Sequence, residues 1–174
     1  WPFAEPVAAT ADNLAKARQF LEERVSLGWT DLNRAFTDVL KKAPADAQVI
    51  YIGDGIVTAG ETDPHSFVKQ LRRLVLGSDE KPSEQKRGFH AVTVGNSFEA
   101  AIVKGIAGLT GGSVRSIGGE QTPQSVALEL LNEIAQPGLR DINVEFRGVK
   151  VAAVYPEKLP NIPAGTQQIL VGRY

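Results

Sequence analysis

Two side chains carry the clearest site chemistry in this sequence, the hydroxyl of Thr30 and the carboxylate of Asp54. Asp54 stands between Gly53 and Gly55, directly after the apolar run Val49-Ile50-Tyr51-Ile52. The glycines let the chain turn and leave the backbone around the acid uncovered. A hydroxyl and a carboxylate are hard oxygen donors, suited to a cation such as Mg²⁺. Such an ion keeps positions open for water or for a partner's carboxylate, and so can join two proteins through a shared metal. Each residue also has a plainer reading. Threonine is a preferred helix N-cap, and Asp-Gly is a common turn. Residue type leaves both readings open.

Other chemistries find less support. The histidines are His65, expected in the first turn of a helix, and His90, expected inside a strand. Both positions favour structural roles. Asp63 reads as a cap, and Glu61 beside it forms no convincing acid/base pair with Asp54. No G-x-S-x-G segment occurs. Gly53-Asp54-Gly55 is followed next by Gly60, which is not the G-x-G-x-x-G spacing of a dinucleotide site, and Asp54 would face the phosphates. A catalytic role is therefore not expected. A net charge of −1 gives no general attraction to nucleic acid or anionic lipid. The basic residues within 69–73 and 81–87 read as solvated faces. The chain lacks cysteine, which excludes disulfides, thiolate metal sites and a cysteine nucleophile. No apolar run is long enough to span a bilayer, and the opening residues do not read as a signal peptide. The sequence begins at Trp1 and contains no methionine, so a piece of a longer protein, or a processed form, is expected.

The elements that must position Thr30 and Asp54 can be read from periodicity. Residues 1–9 read as a loop. Thr10 caps a helix whose inner face is Leu14, Ala17, Leu21 and Val25, ending at Ser26-Leu27-Gly28-Trp29. Thr30 opens a second helix with Leu32, Ala35, Phe36, Val39 and Leu40 on one face. Lys41 and Lys42 suit its carboxyl end, and Pro44 stops it. The apolar run 49–52 predicts a strand buried on both faces, as in a parallel sheet covered by helices. Asp63-Pro64 starts a third helix with Phe67, Leu71, Leu74 and Val75 inward. Residues 77–88 read as a solvated connection. A second strand spans 89–94. Gly95 then turns the chain, and Asn96 with Glu99 has capping-box spacing for a helix burying Phe98, Ile102, Ile106 and Leu109. Gly111-Gly112 ends it, a short strand lies near 113–117, and Thr122-Pro123 caps a last helix with Val126, Leu130 and Ile134 inward.

The order is α/β with a parallel sheet, a partial Rossmann-like three-layer arrangement with flanking helices. After Pro137-Gly138 the period changes. Ile142, Val144 and Phe146 alternate with polar residues, Val149, Val151 and Ala153 continue, and Gln168–Val171 closes the chain's apolar segments. A short antiparallel β region is predicted there. The expected units are 1–136 and 137–174. The topology brings Thr30, Asp54 and the Gly95-Asn96 turn to one rim, since the helix after Thr30 runs down the sheet and the strand 49–52 returns up it. Ligands of open α/β sheets bind at that carboxyl edge.

Leu27-Gly28-Trp29-Thr30-Asp31-Leu32, the helix after it and Val49–Gly55 resemble the middle of a von Willebrand factor type A domain. In that family a Gly-Gly-Thr-Asn-Leu type segment and a strand ending in Thr-Asp-Gly supply two of the three loops of the metal-ion-dependent adhesion site. The resemblance makes Thr30 the threonine ligand and Asp54 the aspartate ligand. Phe89–Gly95 and Ile106–Gly112 resemble later parts of the domain. Val154-Tyr155-Pro156, Leu159-Pro160, Ala164-Gly165 and Gly172-Arg173-Tyr174 resemble the segment after the domain in inter-alpha-trypsin inhibitor heavy chains and in bacterial and animal proteins that pair a vault/inter-alpha-trypsin domain with a type A domain.

The resemblance implies a noncatalytic adhesion or assembly module that binds a protein through Mg²⁺, Mn²⁺ or Ca²⁺, in a secreted, cell-surface or periplasmic setting. The departures are specific. The family's Asp-x-Ser-x-Ser loop does not occur, Trp29 replaces the second glycine, and Gly53 replaces the threonine before the aspartate. Thr30 and Asp54 are thus the two ligating side chains that remain, and metal binding by this chain alone is expected to be weak or absent. The edge at Val49–Ile52 is expected to lie unpaired, awaiting a strand from an N-terminal part of the same domain or from another chain. The alternatives are a metal-independent structural or interaction domain and, behind it, a nucleotide-binding α/β domain.

Overall fold

In the computed structural model, residues 1–26, 28–77, 86–135, 138–139, 142–156, 159, 162–163 and 167–174 are described. Thr10 caps helix α1 (Ala11–Glu22), its hydroxyl accepting the Asn13 N–H at 3.3 Å. This helix ends at Glu22, short of the expected glycine stop, and buries none of its residues. Leu14 and Leu21, expected to face inward, are exposed, and so is Val25 beyond the helix end. A periodic stripe only records that a helix can be covered, and here no described element covers it.

The second helix, α2 (Leu32–Lys42), is capped by Asp31 and not by Thr30. The Asp31 carboxylate accepts the Arg34 N–H at 3.0 Å. Thr30 is instead held by a loop, described below. Leu32 and Phe36 are buried as expected, Ala35 is exposed, and Lys41 and Lys42 occupy the last turn. Strand β1 (Gln48–Ile52) follows. Helix α3 (Pro64–Leu76) has Asp63 as N-cap and proline at its start, and buries Phe67, Leu71 and Val75. Leu74 faces solvent, against expectation. Most of the expected 77–88 connection lies outside the described residues.

Strand β2 (Gly88–Val94) pairs in parallel with β1, Ile50 opposite His90 and Ile52 opposite Val92. Helix α4 (Ala100–Gly108) is capped by Glu99. The Asn96 to Glu99 capping box is not formed, because the Glu99 N–H is taken by the Asp54 carbonyl at 2.7 Å and the helix begins only beyond it. Strand β3 (Val114–Ile117) pairs in parallel with β2, and helix α5 (Pro123–Ala135) buries Val126 and Leu130.

The sheet order is β1-β2-β3. Because the strands advance in one direction, both crossover helices land on one face. There α2, α3 and α4 meet Val49, Tyr51 and Phe89 in a core built on Phe36, Phe67, Leu71, Ile102 and Ile106. On the opposite face α5 lays Val126 and Leu130 against Val92. That second layer covers β2 and β3 but not β1, so the expectation of a β1 buried on both faces fails. Ile52, on the α5 side, is 67% exposed.

Beyond α5 the pairing turns antiparallel, as the change of period predicts. Strand β4 (Gly138–Leu139) pairs with β6 (Ile162–Pro163), and β5 (Ala152–Tyr155) with β7 (Val171–Arg173). Ile142, Val144 and Phe146 form no strand, and Val144 and Phe146 are exposed. Alternation needs a partner edge to become a strand, and their segment finds none among the described residues. The last strand lies later than expected, at 171–173 in place of 168–171. The expected unit boundary at 136–137 falls outside the described residues, as do Leu27, Pro160, Ala164 and Gly165.

Candidate functional site

The carboxyl rim of the sheet is built by hydrogen bonds that begin where β1 ends. The Gly53 N–H donates to the Val92 carbonyl at 3.0 Å, extending the ladder one residue past the strand. Asp54 then leaves the sheet. Its Oδ1 accepts the Ile56 N–H at 2.9 Å, a side-chain turn that uses one carboxylate oxygen. The Gly55 N–H donates to the Tyr51 hydroxyl at 3.0 Å. Gly55 has φ +73°, and a Cβ there would sit 3.0 Å from Val103 Cγ2 and 3.1 Å from the Glu99 carbonyl oxygen. Glycine is required at that position by both conformation and space.

The loop that starts at Asp54 reaches Thr30. The Thr30 carbonyl accepts from the N–H groups of Thr58 and Ala59, at 3.0 and 3.1 Å, and the Thr30 N–H donates to Thr58 Oγ1 at 2.8 Å. The structure thereby gathers the Thr30 segment, the Asp54 loop and the start of α4 into one loop cluster at the carboxyl end of β1. Gly95 belongs to the same end, its N–H donating to the Ile117 carbonyl at 2.8 Å. Asp54 is exposed and Thr30 half-buried.

Two neighbours have roles that the sequence reading did not assign. Tyr51 organises the Asp54 loop through its hydroxyl, and burial raises its pKa, opposed by the Gly55 bond and aided by the Asp54 charge. A tyrosine two residues before a Gly-Asp-Gly turn is the signal that could have found it. Glu61 joins two helices to the loop. Its Oε1 accepts the Asp63 N–H at 3.1 Å and its Oε2 the Gln70 Nε2 at 3.0 Å, while Gln70 Oε1 accepts from Asn33 at 2.8 Å. Glu61 is therefore committed to loop architecture. Asp63 caps α3, the Ser66 N–H and hydroxyl holding its carboxyl below the ordinary aspartate range. His65 is exposed in the first turn of α3, and His90 lies buried at the far end of the sheet.

Thr30 and Asp54 suit a hard cation in kind but not in number. Mg²⁺ takes six oxygen ligands in near-octahedral geometry, waters included. Here one Asp54 oxygen is already engaged, and the described residues contain no group of three or more His, Asp or Glu side chains placed to hold a metal. By themselves the two residues are too few to make a centre.

No family model matches the chain, and no solved structure matches it. Curated relatives do. The chain is 24% identical over 178 residues to human inter-alpha-trypsin inhibitor heavy chain H4, an alignment covering 96% of this chain and 18% of that protein. It is 25% identical to human heavy chain H6, over 99% of this chain and 14% of the relative. It is 28% identical to human von Willebrand factor A domain-containing protein 5A, over 87% of this chain and 19% of the relative. The chain thus spans less than a fifth of the length of the curated relatives it matches. Over nearly its whole length it is related to inter-alpha-trypsin inhibitor heavy chains and to a von Willebrand factor A domain-containing protein, and its helix-flanked parallel sheet is consistent with a domain of the type A kind.

Proposed function

We propose that the chain is part of a noncatalytic protein-binding module of the type A kind, working in adhesion or assembly outside the cytoplasm. In this reading Thr30 and Asp54 supply two oxygen donors to a divalent cation, Mg²⁺ or in its place Mn²⁺ or Ca²⁺, at the carboxyl rim of β1. The remaining ligands come from a further strand and loop laid beside β1, from elsewhere in a longer polypeptide or from another chain. The observation that carries the reading is the loop cluster itself: the 58–59 backbone pins Thr30 to the loop that Asp54 begins. The relatives' names support the interaction role in its general form.

The edge of β1 supports the second half of the reading. Gly53 donates to β2 and the Ala47 carbonyl accepts the Gly88 N–H, so by alternation Val49 and Tyr51 also turn their backbone groups toward β2. Gln48, Ile50 and Ile52 turn theirs the other way, where no described strand pairs with them. A metal-independent interaction module remains the second reading, favoured by the bond that already occupies Asp54 Oδ1.

Manganese titration of the protein at its natural length, followed by electron paramagnetic resonance, separates the two. Binding that falls at least about tenfold in Asp54→Ala and in Thr30→Ala supports the cation site. Equal binding in all three proteins, or none in the parent, removes it and leaves the metal-independent module.

A further inference from the structure

The amino end of the sheet holds a buried group that the rim does not use. His90 is 6% exposed, on the α5 side of β2, and both ring nitrogens are engaged. The Ser113 N–H donates to Nδ1 at 3.2 Å. Nδ1 must therefore carry a lone pair, the proton sits on Nε2, and Nε2–H donates to Gln48 Oε1 at 3.1 Å. One neutral tautomer thus links β1, β2 and the residue before β3. The surrounding backbone leaves little slack. Phe89 N–H donates to Thr110 Oγ1 at 2.9 Å, Ala91 N–H to the Ser113 carbonyl at 3.0 Å, and a Cβ on Gly112 would run into the Phe89 carbonyl.

We propose that His90 is an acid-sensitive latch, in which a proton on Nδ1 would face the Ser113 N–H, donor against donor, and free the entry to β3 while β1 stays joined to β2. The Nε2–H bond to Gln48 survives protonation, so the release is one-sided. The Ser113 hydroxyl, 3.3 Å from Nδ1, can turn its oxygen to accept that proton, but the N–H of the same residue still loses its acceptor. The charged group that faces the ring is Glu133 of α5, and its carboxylate is already paired with Arg115 of β3 at 2.9 Å. Gln48 and Ser113 are neutral. Burial holds the ring below the ordinary histidine range, with Glu133 acting weakly the other way. Stability from the neutral ring is complete above that ordinary range and is lost as pH falls toward the lowered value.

The chain has two histidines, one exposed and one buried, so the His90 signals are readily assigned. Imidazole ¹⁵N NMR of the intact chain should show His90 as the Nε2–H tautomer at pH 7.5, titrating below the ordinary histidine range. The amides of 113–117 should shift with His90, and their hydrogen exchange, corrected for intrinsic rate, should rise about tenfold between pH 7.5 and 5 relative to 49–52. His90→Gln should abolish that selective rise. An Nδ1–H tautomer, silent 113–117 amides through the His90 transition, or an unchanged acid response in His90→Gln would each overturn the latch. If the variant does not fold, the wild-type pairing of ring and amide titrations still decides.

Discussion

Gly55 and Tyr51 set the shape of the rim more firmly than Asp54 does. Gly55→Ala places a Cβ on a φ of +73° and against Val103 and the Glu99 carbonyl. It should lower stability by about 1–3 kcal/mol, measured by urea unfolding. Tyr51→Phe removes the partner of the Gly55 N–H and should cost about 1 kcal/mol, with the change in hydrogen exchange centred on residues 53–56. Asp63 supplies a pH effect of the same sign as that of His90, in the carboxylate range. Its carboxyl is held low by Ser66, so the α3 cap is fully in place above the ordinary aspartate range and weakens as pH falls through the lowered value. Removal of the carboxylate in Asp63→Ala should flatten the acid limb of the stability profile. At this scale the sequence was partly legible. The Thr30 and Asp54 positions could be read, since their neighbours fix a turn and a helix start. The one-residue shift of the cap from Thr30 to Asp31 could not, because it depends on Thr58 and Ala59 reaching back to Thr30 from a distant loop.

Helices show when a periodic stripe becomes a buried face. The stripe of α2 meets three aromatic rings. Phe36 has ring centroids at 6.0 Å from Phe89 and 6.4 Å from both Tyr51 and Phe67. Phe36→Ala should cost about 3–5 kcal/mol by denaturant unfolding. The stripe of α1 was as readable, yet Leu14 and Leu21 meet solvent. Leu14→Gln should change stability by less than about 0.5 kcal/mol in this chain. A loss comparable to that of Phe36→Ala would show that α1 is packed in solution. The same rule explains the C-terminal misreading, in which Ile142, Val144 and Phe146 alternate without a partner edge among the described residues. Helices α3 and α5 were legible because proline-marked starts and their stripes agree with a nearby sheet. The start of α4 was not, since a backbone carbonyl from Asp54 decides it.

Across the whole molecule the two faces of the sheet differ in completeness. One is closed by α2, α3 and α4; the other is closed by α5 over β2 and β3 alone. Ile50, Ile52 and Val94 stand exposed on that second face, beside a β1 edge whose outward backbone groups have no described strand partner. An apolar strand edge of this kind is a template for association. Ile52→Lys should reduce concentration-dependent self-association in sedimentation velocity while leaving the unfolding midpoint nearly unchanged. Unaltered association would place the sticky surface elsewhere, with the C-terminal groove between Phe146, Val149, Val154 and Leu170 the next to test. The α/β class was legible from the order of the elements, whereas the openness of one face was not, because burial of a strand depends on what lies over it.

The strand order has a consequence for how the core assembles. Each strand of the sheet pairs with its neighbour in sequence, so no strand waits for a distant later partner. The loop that brings Val114 beside Ala91 is a little over half as long as the one that brings Gly88 beside Gln48. Closing it costs about 0.5 kcal/mol less in chain entropy. The β2-α4-β3 unit therefore closes at the lower entropic cost, while the start of α4 is completed when the β1 end brings the Asp54 carbonyl to the Glu99 N–H.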